Sequence, residues 1–261
     1  MHARTATANR AFTLIELLVC IGIIAVVIGL TLPALAGART TARQTKALAN
    51  QRTAYTTFSQ YAGQYGSYPY AARGVRTRTN FQDPPDHLML VPWWPQVSFV
   101  GTTEPFDLEW LWPGVVSLLT DWPEAYPAWV SPGLPTSLPT DFPDELRDTI
   151  SVRYSHTFLA RPALFTDGAP SDDALRGATK PDDVAFPSQK VMLWDAHLAY
   201  LRNEPRRIGE FYDAPTPMAF ADGHADAKNP AAARPGVPNP LRGGLAPAIK
   251  STRDGVRGID Y

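Results

Sequence analysis

Two Asp-x-His pairs stand out among the residues able to do chemistry: Asp195-Ala196-His197 and Asp222-Gly223-His224, with Asp226 close behind. On a strand, residues i and i+2 share a face, so each pair would present an oxygen and a nitrogen together. Were the two strands neighbours, four ligands could converge on a zinc-like ion. The simpler reading makes Asp222 a turn former and the rest exposed polar strand ends, and it is the reading preferred. Asp167-Gly168 with Asp172 and Asp173, or Asp182 with Asp183, offers oxygens suited to calcium, but lacks a full acidic-loop spacing. No metal or other cofactor is therefore expected. Catalytic signatures are missing as well. The sequence has no G-x-S-x-G elbow, no H-E-x-x-H pair and no phosphate-binding glycine loop. Its one cysteine, Cys20, lies in an apolar run, where it acts as a small hydrophobe. The expectation is a protein that is not an enzyme.

Such residues need elements to hold them, and the composition limits which elements those are. The chain has 261 residues, of which 26 are proline, about twice the usual share. That many breakers excludes a helical bundle over most of the length. A lone cysteine excludes a disulfide scaffold and a four-cysteine zinc site. The net charge of −1 hides an asymmetry: residues 1–82 carry nine Lys/Arg against the single acid Glu16, while residues 83–261 carry fifteen against twenty-four. A basic stem is joined to an acidic head. An acidic head repels phosphate, so nucleic acid is not an expected partner.

Between Arg10 and Arg39, Glu16 is the single formal charge. As a helix, Phe12–Ala36 would reach roughly 37 Å, enough to cross a bilayer core of about 30 Å. The run is apolar on all faces, unlike a buried helix of a soluble protein. It is also too long for the core of a cleaved signal peptide. A carboxylate within a span costs about 2.5–3.5 kcal/mol at mid-membrane, less near the interface. A free α-amino group opposite Glu16, made by cutting the chain just upstream, would offset that cost.

The stretch Asn9-Arg10-Ala11-Phe12-Thr13-Leu14-Ile15-Glu16-Leu17 resembles the cleavage site of type IV prepilins and type II secretion pseudopilins. In that family a short basic leader ends in Gly, the mature chain begins with Phe, and Glu is its fifth residue. Here Ala11 stands where Gly is usual. Pro33 falls where the family carries a helix-kinking proline. The resemblance implies cleavage between Ala11 and Phe12 by a membrane aspartyl prepilin peptidase that also methylates the new amine. It implies that Glu16 pairs with a neighbouring subunit's amine and sets register in a filament. It further implies an inner-membrane, single-pass protein with a periplasmic head. The charges flanking the span do not choose that orientation by themselves. A second, partial resemblance lies in Asp222-Gly223-His224, which looks like the end of a His-x9-Asp-Gly pattern found in many prepilin-type proteins. The position ten before Asp222 is Tyr212, so any role of that histidine is absent or altered here.

After Pro33 the pattern turns amphipathic. Leu48, Tyr55, Phe58 and Ala62 share one face, and Gly63, Gly66, Ser67 and Pro69 place the helix end near residues 60–63. Residues 83–146 hold twelve prolines and six of the seven tryptophans: Trp93, Trp94, Trp110, Trp112, Trp122 and Trp129. Packing of this insertion onto a sheet is the favoured reading; a platform for sugars or a partner is the other. A short helix is expected near Gly114–Thr120. Ile150–His156, Lys190–Asp195 and Leu198–Leu201 read as strands, Met218–Asp226 as a hairpin about Asp222-Gly223, and Gly255–Tyr261 as a last strand tethering the C-terminus.

The expected fold is α+β and pilin-like: a long N-terminal helix, transmembrane then amphipathic, packed on an antiparallel sheet. The expected parts are a leader (1–11), a transmembrane or filament-core helix (12–36), an amphipathic helix (37–65) and a head (66–261). The expected function is a prepilin-like structural subunit of a pseudopilus or pilus-like filament, a minor one given its large head. Its partners would be the prepilin peptidase, other pilin or pseudopilin subunits and the inner membrane. The alternative is a membrane-anchored extracytoplasmic protein whose Trp-rich head binds a polysaccharide or protein.

Overall fold

The computed structural model describes residues 14–70, 88–90, 99–101, 105–116, 119–120, 122–137, 150–201, 203–244 and 246–261. The chain forms two compact units, Met1–Ala42 and Arg43–Tyr261. Helix α1 runs Leu14–Tyr65 and carries Pro33 within it. Glu16, in its first turn, suits the positive end of the helix dipole. The helix ends at Tyr65, two residues past Gly63. Gly66, not Gly63, takes the left-handed conformation (φ 75°), and its N–H bonds to the Ala62 carbonyl at 2.8 Å. That bond satisfies one of the orphan carbonyls of the last turn.

In the second unit, two short strands, β1 (Leu88–Leu90) and β2 (Phe99–Gly101), pair antiparallel. Helix α2 (Leu108–Val116) follows, then α3 (Trp122–Ala125). The main sheet is antiparallel and orders β3 (Val152–Tyr154), β4 (Val191–Asp195), β7 (Thr216–Phe220) and β8 (Ala225–Lys228) side by side. A small hairpin, β5 (Arg207–Ile208) with β6 (Phe211–Tyr212), precedes β7. The fold is α+β with a pilin-like arrangement of one long N-terminal helix and an antiparallel sheet.

The core explains the layout. Ala54, Phe58 and Ala62 form the buried face of α1's C-terminal part. The Phe58 ring meets Trp112 at 5.0 Å and Tyr154 at 4.7 Å, both edge-to-face, and Trp112 meets Trp129 at 5.3 Å. The buried Trp112 indole N–H donates to the Val152 carbonyl at 2.8 Å, which ties α2 to β3. Every residue of β4 and β7 is buried, so the sheet is covered on both faces. Leu193 and Ala219 join the core shared with α1, whereas Val191, Trp194, Met218 and Phe220 pack with Phe211 and Ile249.

Several expectations are corrected here. The helix in the Pro/Trp-rich segment spans Leu108–Val116, earlier than expected, and includes Pro113. Burial of Leu108, Leu111, Trp112 and Val116 outweighs the proline's poor helix propensity. Leu198–Leu201 is a turn: Leu198 has φ 48°, and the Leu201 N–H returns to the Leu198 carbonyl. His156 leaves β3 and opens a 3₁₀ turn, His156–Phe158. Gly255–Arg257 is also a 3₁₀ turn, not a strand, because Asp254 and Gly255 both lie in the left-handed region.

Candidate functional site

The N-terminal part of α1 is set by composition alone. Its most apolar 18-residue window has a mean hydropathy of 2.8, and none of that window is buried within the protein. Leu14, Ile15, Leu18, Ile21, Ile24 and Leu30 are each more than half exposed. Nothing in a soluble chain offsets such a surface; lipid or a bundle of like helices does. This is the one helix among the described residues long and apolar enough to cross a membrane. Glu16 lies exposed at its start and Pro33 lies inside it. Ala11 and Phe12 lie outside the described residues. Arg39, Arg43 and Lys46 follow, at the i, i+4, i+7 spacing of a helical face, and all three are exposed.

Further along the same helix, Tyr55 receives the Asp222-Gly223 turn. Gly223 has φ 91°, and a Cβ added there would stand 2.7 Å from the Tyr55 ring. The Tyr55 hydroxyl donates to the Ala221 carbonyl at 2.9 Å. Burial, followed by the nearby Asp222 charge, pushes the Tyr55 phenol above its ordinary range. In the same turn the His224 ring stacks on Phe220 at 4.2 Å, and its Nδ1 lies 2.6 Å from Asp222 Oδ1. The Asp-Gly-His run is thus a docking turn for the stem helix. Tyr212, at the place of the pattern's histidine, holds its hydroxyl between Arg207 (2.8 Å) and Glu204 (3.1 Å).

The two Asp-x-His pairs do not converge. The antiparallel register sets Val191, at the start of β4, against Phe220, whereas Asp195 closes the other end of β4. Four residues of strand separate the two motifs by about 13 Å. Asp195 is buried and accepts from Ser131 Oγ at 2.7 Å and from the N–H groups of His197 (3.0 Å) and Leu198 (3.3 Å). Burial raises its carboxyl above the usual range, against those hydrogen bonds. His197 Nδ1 meets Ser151 Oγ at 2.9 Å, so the pair organises a loop. Among the described residues no group of three or more His, Cys, Asp or Glu is placed to hold a metal. The calcium candidates have local partners: Asp167 pairs with Arg253 at 2.7 Å, Asp173 with Arg176 at 3.3 Å, and Asp172 and Asp183 accept backbone N–H groups.

Of the tryptophans, Trp112 and Trp129 are core residues and cannot form a surface platform, while Trp110 is half-buried. Trp93 and Trp94 lie outside the described residues. Two charged clusters were not foreseen. Lys190, wholly buried, donates to Thr252 Oγ1 (2.6 Å) and lies 3.2 Å from Asp260, which also accepts the Val191 N–H at 2.8 Å. Lys250 bridges Glu109 (2.6 Å) and Glu210, and Glu109 also meets His156 Nε2 at 2.9 Å. Partners 40 or more positions apart leave no local pattern; a charged residue beside an apolar strand, as at Lys190, was the sole hint.

Residues 7–32 match the model of the prokaryotic N-terminal methylation motif. No curated protein and no solved structure matches the chain. The motif and the apolar helix together point to membrane anchoring, and the motif points to a structural subunit. Over residues 7–32 this motif supports the resemblance to type IV prepilins and pseudopilins.

Proposed function

We propose that this protein is a filament subunit, cut between Ala11 and Phe12 by a prepilin peptidase, methylated on the Phe12 amine, and assembled with other pilin-like subunits. The observation that carries the reading is the apolar, exposed N-terminal part of α1, which lies largely within the methylation motif. Such a surface is tolerable in lipid before assembly and among like helices afterwards. Glu16, in the first turn of α1, would pair with the Phe12 amine of an adjacent subunit and fix the axial register. The size of the head favours a minor or tip position, and the head lies on the extracytoplasmic side of the inner membrane.

Intact-mass analysis of the protein from its native host tests the reading. The expected product lacks residues 1–11 and carries one added methyl group on Phe12. Recovery of the unprocessed chain as the stable membrane form would overturn it. Crosslinking between α1 helices in cells then separates an assembled subunit from a protein that is processed but stays single.

A further inference from the structure

One shallow cleft of the second unit has a charge opposite to that of the acidic head. It encloses about 300 Å³ and is lined by Arg234, Arg253 and Arg257, with Phe186, Asp254 and the backbone of Gly258 among its walls. All three arginines are exposed, and Phe186 is 46% exposed, which is unusual among the described large apolar residues of the head. Asp167 engages Arg253 at 2.7 Å, and Asp254 is the one carboxylate in the lining, so positive charge predominates.

The cleft is built on buried chemistry. Thr252, next to Arg253, takes the Lys190 ammonium, and Asp260 completes the pair. The Arg234 N–H donates to the Asp260 carbonyl at 2.8 Å, and the Asp260 N–H donates to Gln189, whose own N–H returns to Phe186. The Arg257 N–H donates to Asp254 at 3.0 Å. A charge pair taken fully out of water is expensive. Here it holds in one place the three segments that carry the guanidinium groups and the ring.

The geometry points to a binding site for an acidic sugar. Guanidinium forks match planar carboxylate or sulfate oxygens with two parallel hydrogen bonds. An exposed phenyl ring offers an apolar face to the C–H face of a pyranose. The volume is at the small end of ligand sites and suits one or two sugar rings. The cleft involves none of the tryptophans.

The test uses the full-length protein in detergent, titrated calorimetrically with oligogalacturonate, with a neutral maltooligosaccharide of equal length, and with oligoglutamate. Binding of the acidic sugar is expected, weakening as salt rises, with none of the neutral one. R257A and R234A should each lower affinity about tenfold, the loss of one charge-assisted contact. F186A should lower affinity for the sugar and leave the thermal midpoint unchanged. Absence of binding, or binding indifferent to R257A, overturns the proposal. Oligoglutamate binding as tight as oligogalacturonate overturns it too, and reassigns the cleft to an acidic protein segment.

Discussion

The ring of Tyr55 occupies the space that any side chain on Gly223 would need. A Cβ at Gly223 would fall 2.7 Å from Tyr55 Cε1, and the Tyr55 hydroxyl bonds at 2.9 Å to Ala221, two residues away. The Asp-Gly turn therefore serves two ends at once. It reverses the chain between β7 and β8, and it brings bare backbone against α1. Gly223→Ala would meet both the φ of 91° and the ring. A loss of about 2–3 kcal/mol is expected from overpacking together with left-handed strain. Tyr55→Phe, which removes the hydroxyl bond alone, should cost about 1 kcal/mol. Urea unfolding of the two variants and of Gly223→Ala with Tyr55→Ala checks this. The glycine substitution should cost much less where the ring is absent, and equal costs in both backgrounds would refute the contact.

Glu16→Gln tests the assembly role without disturbing the head. Glu16 lies in the first turn of α1, within the Met1–Ala42 unit, and the head is built from Arg43–Tyr261. The amide is less costly in lipid than the carboxylate, so insertion should persist or improve. Filament incorporation should fall at least tenfold in a pull-down of crosslinked subunits, while the thermal midpoint of the head stays unchanged. Assembly at the ordinary level would remove the pairing from the mechanism.

Acid should weaken the head through Glu109 and His156. Burial pushes Glu109 up, but Lys250, His156 and Arg153 outweigh it and hold the carboxyl well below its ordinary range. Burial and the Lys250 charge lower His156, against the pull of Glu109. Arg242 also faces the histidine, and Glu210 shares Lys250. Both shifts act in one direction. Below about pH 6.5 the unfolded chain takes a proton on this histidine that the folded protein resists, and below about pH 4.5 the same holds for the glutamate. Stability should thus be complete near neutrality and fall as pH drops, by up to about 1.4 kcal/mol per pH unit for each group. Urea midpoints from pH 7.5 to 4.5 test it. His156→Asn should flatten the upper part of the curve, and a profile unchanged by that substitution would contradict the assignment.

What could be read in advance followed short-range chemistry. The span, Glu16, Pro33 and the face of Phe58 and Ala62 depend on spacing of a few residues, and α1 carries them as one helix. The run Val191–Asp195 announced a strand because five successive buried positions need a sheet covered on both sides. The same reasoning failed at Leu198–Leu201, where Asp195 accepts the Leu198 N–H and folds the chain back. It failed again at the C-terminus, where Asp254 and Gly255 turn left-handed. The metal reading asked that the two strands be neighbours; β4 and β7 do pair, but their antiparallel register leaves Asp195 and Asp222 at opposite ends. Charge pairs such as Lys190–Asp260 join residues 70 apart, and no window of sequence holds both.

That pair yields the last prediction. Lys190 Nζ reaches Thr252 and Asp260, and both Lys190 and Asp260 are 0% exposed. Burial lowers the Lys190 ammonium below its ordinary range, against the pull of Asp260. Removing one partner strands the other's charge. Asp260→Asn should cost about 3–5 kcal/mol. Lys190→Met should cost somewhat less, because the carboxylate left behind keeps the hydrogen bond from the Val191 N–H. The double substitution should be more stable than Asp260→Asn alone, since no uncompensated charge remains. Thermal unfolding of the three variants decides it. Strictly additive losses would mean that the two residues do not act as a pair, and that the C-terminal segment is held by its backbone bonds to Gln189 and Arg234 instead.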